Sequence, residues 1–117
     1  MSGSLTTHVL DTARGCPAEG IEIALYRVSG NSHRKIATAI TNADGRTDAP
    51  ILEAKKFKTG SYELLFFCRD YLIRTGNDQG DVMFLDTIPI RFGMSEDMHY
   101  HVPLLLSPFG YSTYRGS

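Results

Sequence analysis

An all-β fold, a two-sheet β-sandwich of seven to eight strands with one short helix, is the architecture this sequence predicts. Short runs of period-2 alternation recur along the chain, clusters of Gly, Pro, Asn and Asp punctuate them, and helical periodicity is almost absent. With 117 residues, 42% of them hydrophobic, the chain is expected to form one domain over residues 1–117. A chain of this size buries roughly two-thirds of its unfolded surface, enough for a core without disulfide staples.

The elements follow in order. Residues 5–11 read as the first strand, with Leu5, Thr7 and Val9 on one face and Thr6, His8 and Leu10 on the other. It ends in the turn Arg14-Gly15-Cys16-Pro17. Residues 21–28 set Ile21, Ile23 and Leu25 against Glu22 and Ala24, and a loop at Ser29-Gly30-Asn31-Ser32 leads into a third strand over 34–41. Asn42-Ala43-Asp44-Gly45 is the next turn. After a polar stretch, residues 61–68 carry Tyr62, Leu64 and Phe66 on one face and Leu65 and Phe67 on the other, which predicts a central strand covered on both sides. Residues 69–75 form the short helix, ended by Gly76. Residues 87–92 place Ile88, Ile90 and Phe92 together, and Pro89, which donates no ladder hydrogen bond, marks an edge or a bulge. The final strands cover 100–106 and 111–115, and aromatic residues at 109, 111 and 114 predict a terminus packed nearly to its end.

Charge and cysteines exclude several classes. Twelve Lys and Arg against thirteen Asp and Glu give a net charge of −1, with no basic stripe, so nucleic acid is not an expected partner. No window approaches the ~18 apolar residues of a membrane span and no basic-then-apolar leader opens the chain, so no membrane contact and a cytoplasmic location are expected. Cys16 and Cys68 form no C-x-x-C pair and read as a loop thiol and a small buried hydrophobe.

His99-Tyr100-His101 is the most informative triplet. On a strand both imidazoles project from one face, and Tyr100, Val102, Leu104 and Leu106 from the other. The histidine face continues through Pro103 to Leu105, so a partner covering part of it is one reading and a solvated sheet face is the other. A zinc site drawing on His8, His99 and His101 is a third reading, without a carboxylate to complete a familiar ligand spacing. Arg46 follows a tight turn, where its planar fork suits a carboxylate or ureide carbonyl.

Taken together, Leu5-Thr6-Thr7-His8-Val9-Leu10-Asp11-Thr12, Gly15-Cys16-Pro17-Ala18, Thr41-Asn42-Ala43-Asp44-Gly45-Arg46-Thr47, His99-Tyr100-His101-Val102-Pro103-Leu104-Leu105-Leu106-Ser107-Pro108 and the ending Tyr114-Arg115-Gly116-Ser117 resemble the transthyretin-like 5-hydroxyisourate hydrolase family. The resemblance implies a transthyretin-like β-sandwich assembled as a homotetramer, with sites at the dimer-dimer interface and no cofactor or metal. The implied reaction opens a C–N bond of 5-hydroxyisourate, in urate catabolism, to give 2-oxo-4-hydroxy-4-carboxy-5-ureidoimidazoline. It assigns catalysis to His8, Arg46, His101 and Ser117, and substrate contact to His8, Arg46, Tyr114, Arg115 and Gly116. The family's catalytic position matches the histidine before Val-Pro-Leu-Leu-Leu, His101 rather than His99. A non-catalytic small-ligand carrier of the same fold is the alternative.

Overall fold

The computed structural model describes residues 3–116. In chain order these form β1 (Ser4–Asp11), β2 (Cys16–Pro17), β3 (Glu22–Ser29), β4 (Ser32–Ile40), β5 (Gly60–Phe67), the helix α1 (Arg69–Arg74), β6 (Thr87–Met94), β7 (His99–Ser107) and β8 (Gly110–Thr113). Two four-stranded sheets, ordered β2-β1-β7-β8 and β4-β3-β5-β6, face each other. The all-β sandwich and its single short α-helix are thus as expected. Pro89 lies on β6, an edge strand of its sheet.

Period-2 alternation carries the core. Leu5, Thr7, Val9 and Asp11 of β1 are buried, and the intervening residues are half-buried on the outer face. Leu104 and Leu106 of β7 pack with Ile23, Leu25, Tyr62, Leu64, Phe66 and Ile88 of the opposite sheet, and the core is continuous between the two. One buried charge is held in place by a network. Asp11 accepts from the Tyr71 hydroxyl at 2.7 Å and from the Arg14 backbone at 2.9 Å, tying α1 to the end of β1.

Three expectations need correction. The central strand β5 buries Tyr62, Leu64 and Phe66, but Leu65 is half-buried and Phe67 exposed, so the protomer covers one face only. Cys16 and Pro17, read as a turn, pair with Asp11 and Leu10 as a two-residue strand, too short to show any period. Phe109, Tyr111 and Tyr114 are 68%, 47% and 56% exposed, so the aromatic ending is not packed within the protomer.

The β1–β7 pair is the single parallel ladder among the described strands, and its register sets Thr6 beside His101 and His8 beside Pro103. The β7–β8 ladder stops at the Leu104–Thr113 pair. Pro103 has no N–H to continue it. Its carbonyl is met instead by the Thr113 hydroxyl at 2.7 Å, and pairing with β7 resumes in the same register where the Gly116 N–H donates to the His101 carbonyl at 2.7 Å.

Candidate active site

The outer face of the β2-β1-β7-β8 sheet gathers His8, His99 and His101. The His8 and His101 rings lie 6.3 Å apart between centroids, and His99 and His101 6.5 Å apart. A ring-sized molecule that sits above this face meets two imidazoles at once. Arg46 joins them through the loop that follows β4. The Asn42 side chain accepts from the backbone N–H groups of Asp44 at 2.9 Å and Arg46 at 3.2 Å, a local turn of the kind Asn favours. Gly45 then presses against β1, where Val9 N–H donates to its carbonyl at 2.8 Å and His8 bridges to Arg46. Gly45 has φ +75°, and a Cβ there falls 2.4 Å from the Val9 carbonyl oxygen and 3.2 Å from His8 Cδ2. Only glycine allows this approach.

The site favours neutral imidazole. Partial burial is the largest influence that lowers the His8 pKa below its ordinary 6.5, followed by the Arg46 charge, against a hydrogen bond to the Asp44 backbone that raises it. His101 is lowered from 6.5 by burial first, then by Arg46, His8 and His99. At neutral pH both rings hold a lone pair that can accept a proton, and the Arg46 charge acts on both.

Of the residues named from sequence, His8, Arg46, His101 and Gly116 come together. The first three share one electrostatic field, and Gly116 packs on the ring of His101. Tyr114 and Arg115 do not join them within the protomer. They line a cleft of about 250 Å³ with Ile90, Phe92 and Val102, and the Arg115 guanidinium stacks 4.6 Å over Tyr100, on the core side of β7 opposite the histidines. Ser117 lies outside the described residues. His8, His99 and His101 share a face without converging as metal ligands, and among the described residues no three His, Cys, Asp or Glu side chains do.

Sequence reasoning missed Thr6 and Gly45. The Thr6 hydroxyl lies 2.8 Å from His99 Nε2 and 2.8 Å from His101 Nδ1. Its place on the His8 face of β1 was a usable signal, but its contact with β7 depended on a register the sequence does not display. The close turn Asp44-Gly45-Arg46 was the signal for Gly45.

Fold and face together define a β-sandwich protein with a histidine-lined face on the outer surface of one sheet. The pattern described as HIUase/Transthyretin family matches residues 5–116, and the chain belongs to that family. The 5-hydroxyisourate hydrolase of Mesorhizobium japonicum is 58% identical over 115 residues, 98% of this chain and 93% of the relative. 5-Hydroxyisourate hydrolase 2 of Rhizobium meliloti is 56% identical over 117 residues, 99% and 98% of the two chains. Among solved structures, an (S)-allantoin synthase matches with a TM-score of 0.92 and 49% identity over 99% of this chain, which spans 44% of that longer chain. Sea bream transthyretin, solved in complex with thyroxine, matches with a TM-score of 0.85 and 26% identity over 97% of this chain and 94% of its own. No helix among the described residues is long and apolar enough to cross a membrane.

Proposed function

We propose that this chain hydrolyses 5-hydroxyisourate to 2-oxo-4-hydroxy-4-carboxy-5-ureidoimidazoline, in urate breakdown in the cytoplasm. The observation that carries the reading is the meeting of His8, His101 and Arg46 on one sheet face, in a chain 58% and 56% identical to two proteins named for that activity. One imidazole takes a proton from water as it attacks the ring carbonyl, and the other gives a proton to the nitrogen as the C–N bond breaks. Arg46 stabilises the oxyanion of the tetrahedral intermediate and grips the ring's oxygens through its fork. Neither step calls on a cofactor or a metal.

The chain acts as a homotetramer with sites at the dimer-dimer interface. Exposed Phe109, Tyr111 and Tyr114, and a half-covered histidine face, support this assembly. There Tyr114, Arg115 and Gly116 contact substrate, and Ser117 takes part in catalysis. A carrier of apolar ligands gains little from two imidazoles and a guanidinium, which separates this reading from the thyroxine-bound relative.

Ultraviolet monitoring of freshly made 5-hydroxyisourate tests the proposal. The wild type accelerates its disappearance, and His8→Asn and His101→Asn each lower turnover by about 10²-fold or more with the fold intact. Unchanged spontaneous decay favours the carrier, and wild-type rates in either variant overturn the assignment of the bases.

A further inference from the structure

We propose that Thr6 and His99 form a proton relay that connects solvent to His101 and switches His101 between its base and acid forms. The proposal rests on the hydrolase reading for the use made of those protons. Its geometry stands independently of that reading.

The parallel β1–β7 register pairs Thr6 with His101, and strand alternation puts His99 on the same face two residues earlier. The Thr6 hydroxyl thereby meets both rings at 2.8 Å, His101 through Nδ1 and His99 through Nε2. A backbone alternative, the Tyr100 carbonyl, is much looser at 3.5 Å. A hydroxyl has one proton to donate and lone pairs to accept with. Between two neutral imidazoles it therefore donates to one and accepts from the other, which leaves two arrangements of the same three groups.

In the first arrangement His101 Nδ1–H donates to Thr6, and the Thr6 hydroxyl donates to His99 Nε2. His101 then holds a lone pair on Nε2, the nitrogen that faces away from Thr6, and is a base. In the second, His99 Nε2–H donates to Thr6 and Thr6 donates to His101 Nδ1. His101 then carries its proton on Nε2 and is an acid.

One turnover links the two states, with one proton released to solvent and one taken back. His101 Nε2 takes a proton from the attacking water, and the Nδ1 proton passes to Thr6 Oγ1 as the Thr6 proton passes to His99 Nε2. His101 is left neutral with its proton on Nε2, ready to resupply the proton that His8 gives to the departing nitrogen, and His99 becomes an imidazolium. His99 is exposed, and it returns one proton to solvent from Nδ1. Restoring the first arrangement after Nε2 has given up its proton passes the His99 Nε2 proton to Thr6 and the Thr6 proton to His101 Nδ1, while His99 takes one proton back from solvent at Nδ1. A merely structural Thr6 needs only a hydrogen bond to one ring, with no second imidazole at the far side of the hydroxyl.

The test uses the full-length protein and the variants Thr6→Val, Thr6→Ser and His99→Ala. Valine keeps the β-branched shape and removes the hydroxyl. Thr6→Val is expected to lower kcat by about tenfold or more with little change in KM, and Thr6→Ser to recover most of the loss. His99→Ala is expected to lower kcat in dilute buffer and to regain activity as imidazole is added. A wild-type kcat in Thr6→Val, or a His99→Ala defect insensitive to imidazole, overturns the relay. Imidazole ¹⁵N NMR of the substrate-free protein gives a readout that needs no turnover. The wild type is expected to show His101 nitrogens averaged between the two tautomers, and Thr6→Val to collapse them to one. If the wild type fails to accelerate loss of 5-hydroxyisourate, the hydrolase reading falls, and unchanged His101 shifts in Thr6→Val then overturn the relay where changed shifts uphold it.

Discussion

Gly116→Ala tests whether the end of the chain sets the position of the His101 ring. A Cβ on Gly116 falls 2.7 Å from His101 Cδ2 and 3.3 Å from both Cβ and Cγ, where ordinary contact begins at 3.4 Å. The ring or the terminal segment must retreat by about 0.7 Å at the closest atom to relieve the overlap. Rotating the ring stretches the 2.8 Å contact between His101 Nδ1 and Thr6, and backing the chain away weakens the 2.7 Å bond from Gly116 N–H to the His101 carbonyl. Misplacement of about 1 Å can cost as much as 10²-fold in rate, so a shift of this size is expected to lower kcat/KM by about 10- to 50-fold. That corresponds to about 1.4 to 2.3 kcal/mol of transition-state stabilisation. Stability should scarcely change, because Gly116 lies beyond the last strand, outside the buried core. The assay is ultraviolet decay of 5-hydroxyisourate beside a thermal melt. A variant with wild-type kcat/KM refutes the reasoning, and one that loses activity only in step with its melting temperature refutes it too.

Three further outcomes follow from the same structure. Because burial and Arg46 hold His8 and His101 below 6.5, neutral base persists as pH falls past 6.5, and the acid limb of the kcat/KM profile should have its midpoint below that value. Arg46→Met removes one cause of the lowering, so the midpoint should move upward whatever happens to the maximal rate; an unmoved midpoint contradicts the electrostatic account. Tyr71→Phe deletes the 2.7 Å donor to buried Asp11 and should destabilise the fold by about 1–3 kcal/mol in urea unfolding, with a loss under about 0.5 kcal/mol counting against the network. Burial pushes the Cys68 thiol up to about 12, so a thiol reagent should label Cys16 in the native protein and Cys68 only after unfolding; rapid native labelling of both contradicts this.

The sandwich was legible because burial on one side of a sheet writes a period of two into the chain. Residues 5–11 show it plainly, with Leu5, Thr7 and Val9 buried and Thr6 and His8 facing outward as expected. The same rule misled for β5. Leu65 and Phe67 read as a second covered face, yet apolar side chains record only that some cover is favourable, never whether it comes from the same chain. Phe109, Tyr111 and Tyr114 pose the same ambiguity at the C-terminus. His8, Arg46 and His101 were legible through the resemblance. Strand alternation alone put His99 and His101 on one face and left their neighbour across the ladder unknown. Thr6 stayed hidden because a threonine in a strand needs no explanation beyond β-propensity. Its contacts are with residues 93 and 95 positions away, so they exist only once a long-range register is chosen.

That register and the one between β7 and β8 explain why the site lies where it does. A parallel ladder between β1 and β7 runs both strands in the same direction, so His8 and His101 sit two register positions apart on one face rather than directly opposite, with centroids at 6.3 Å. The β8 ladder is interrupted at Pro103, which has no N–H, and pairing resumes with the Gly116 N–H at the His101 carbonyl. The register is the same on both sides of this gap, with Leu104 opposite Thr113 and His101 opposite Gly116, so the β8 ladder itself sets Gly116 at His101. That register brings a side-chain-free residue to the edge of the His101 ring, where a Cβ would fall 2.7 Å from Cδ2.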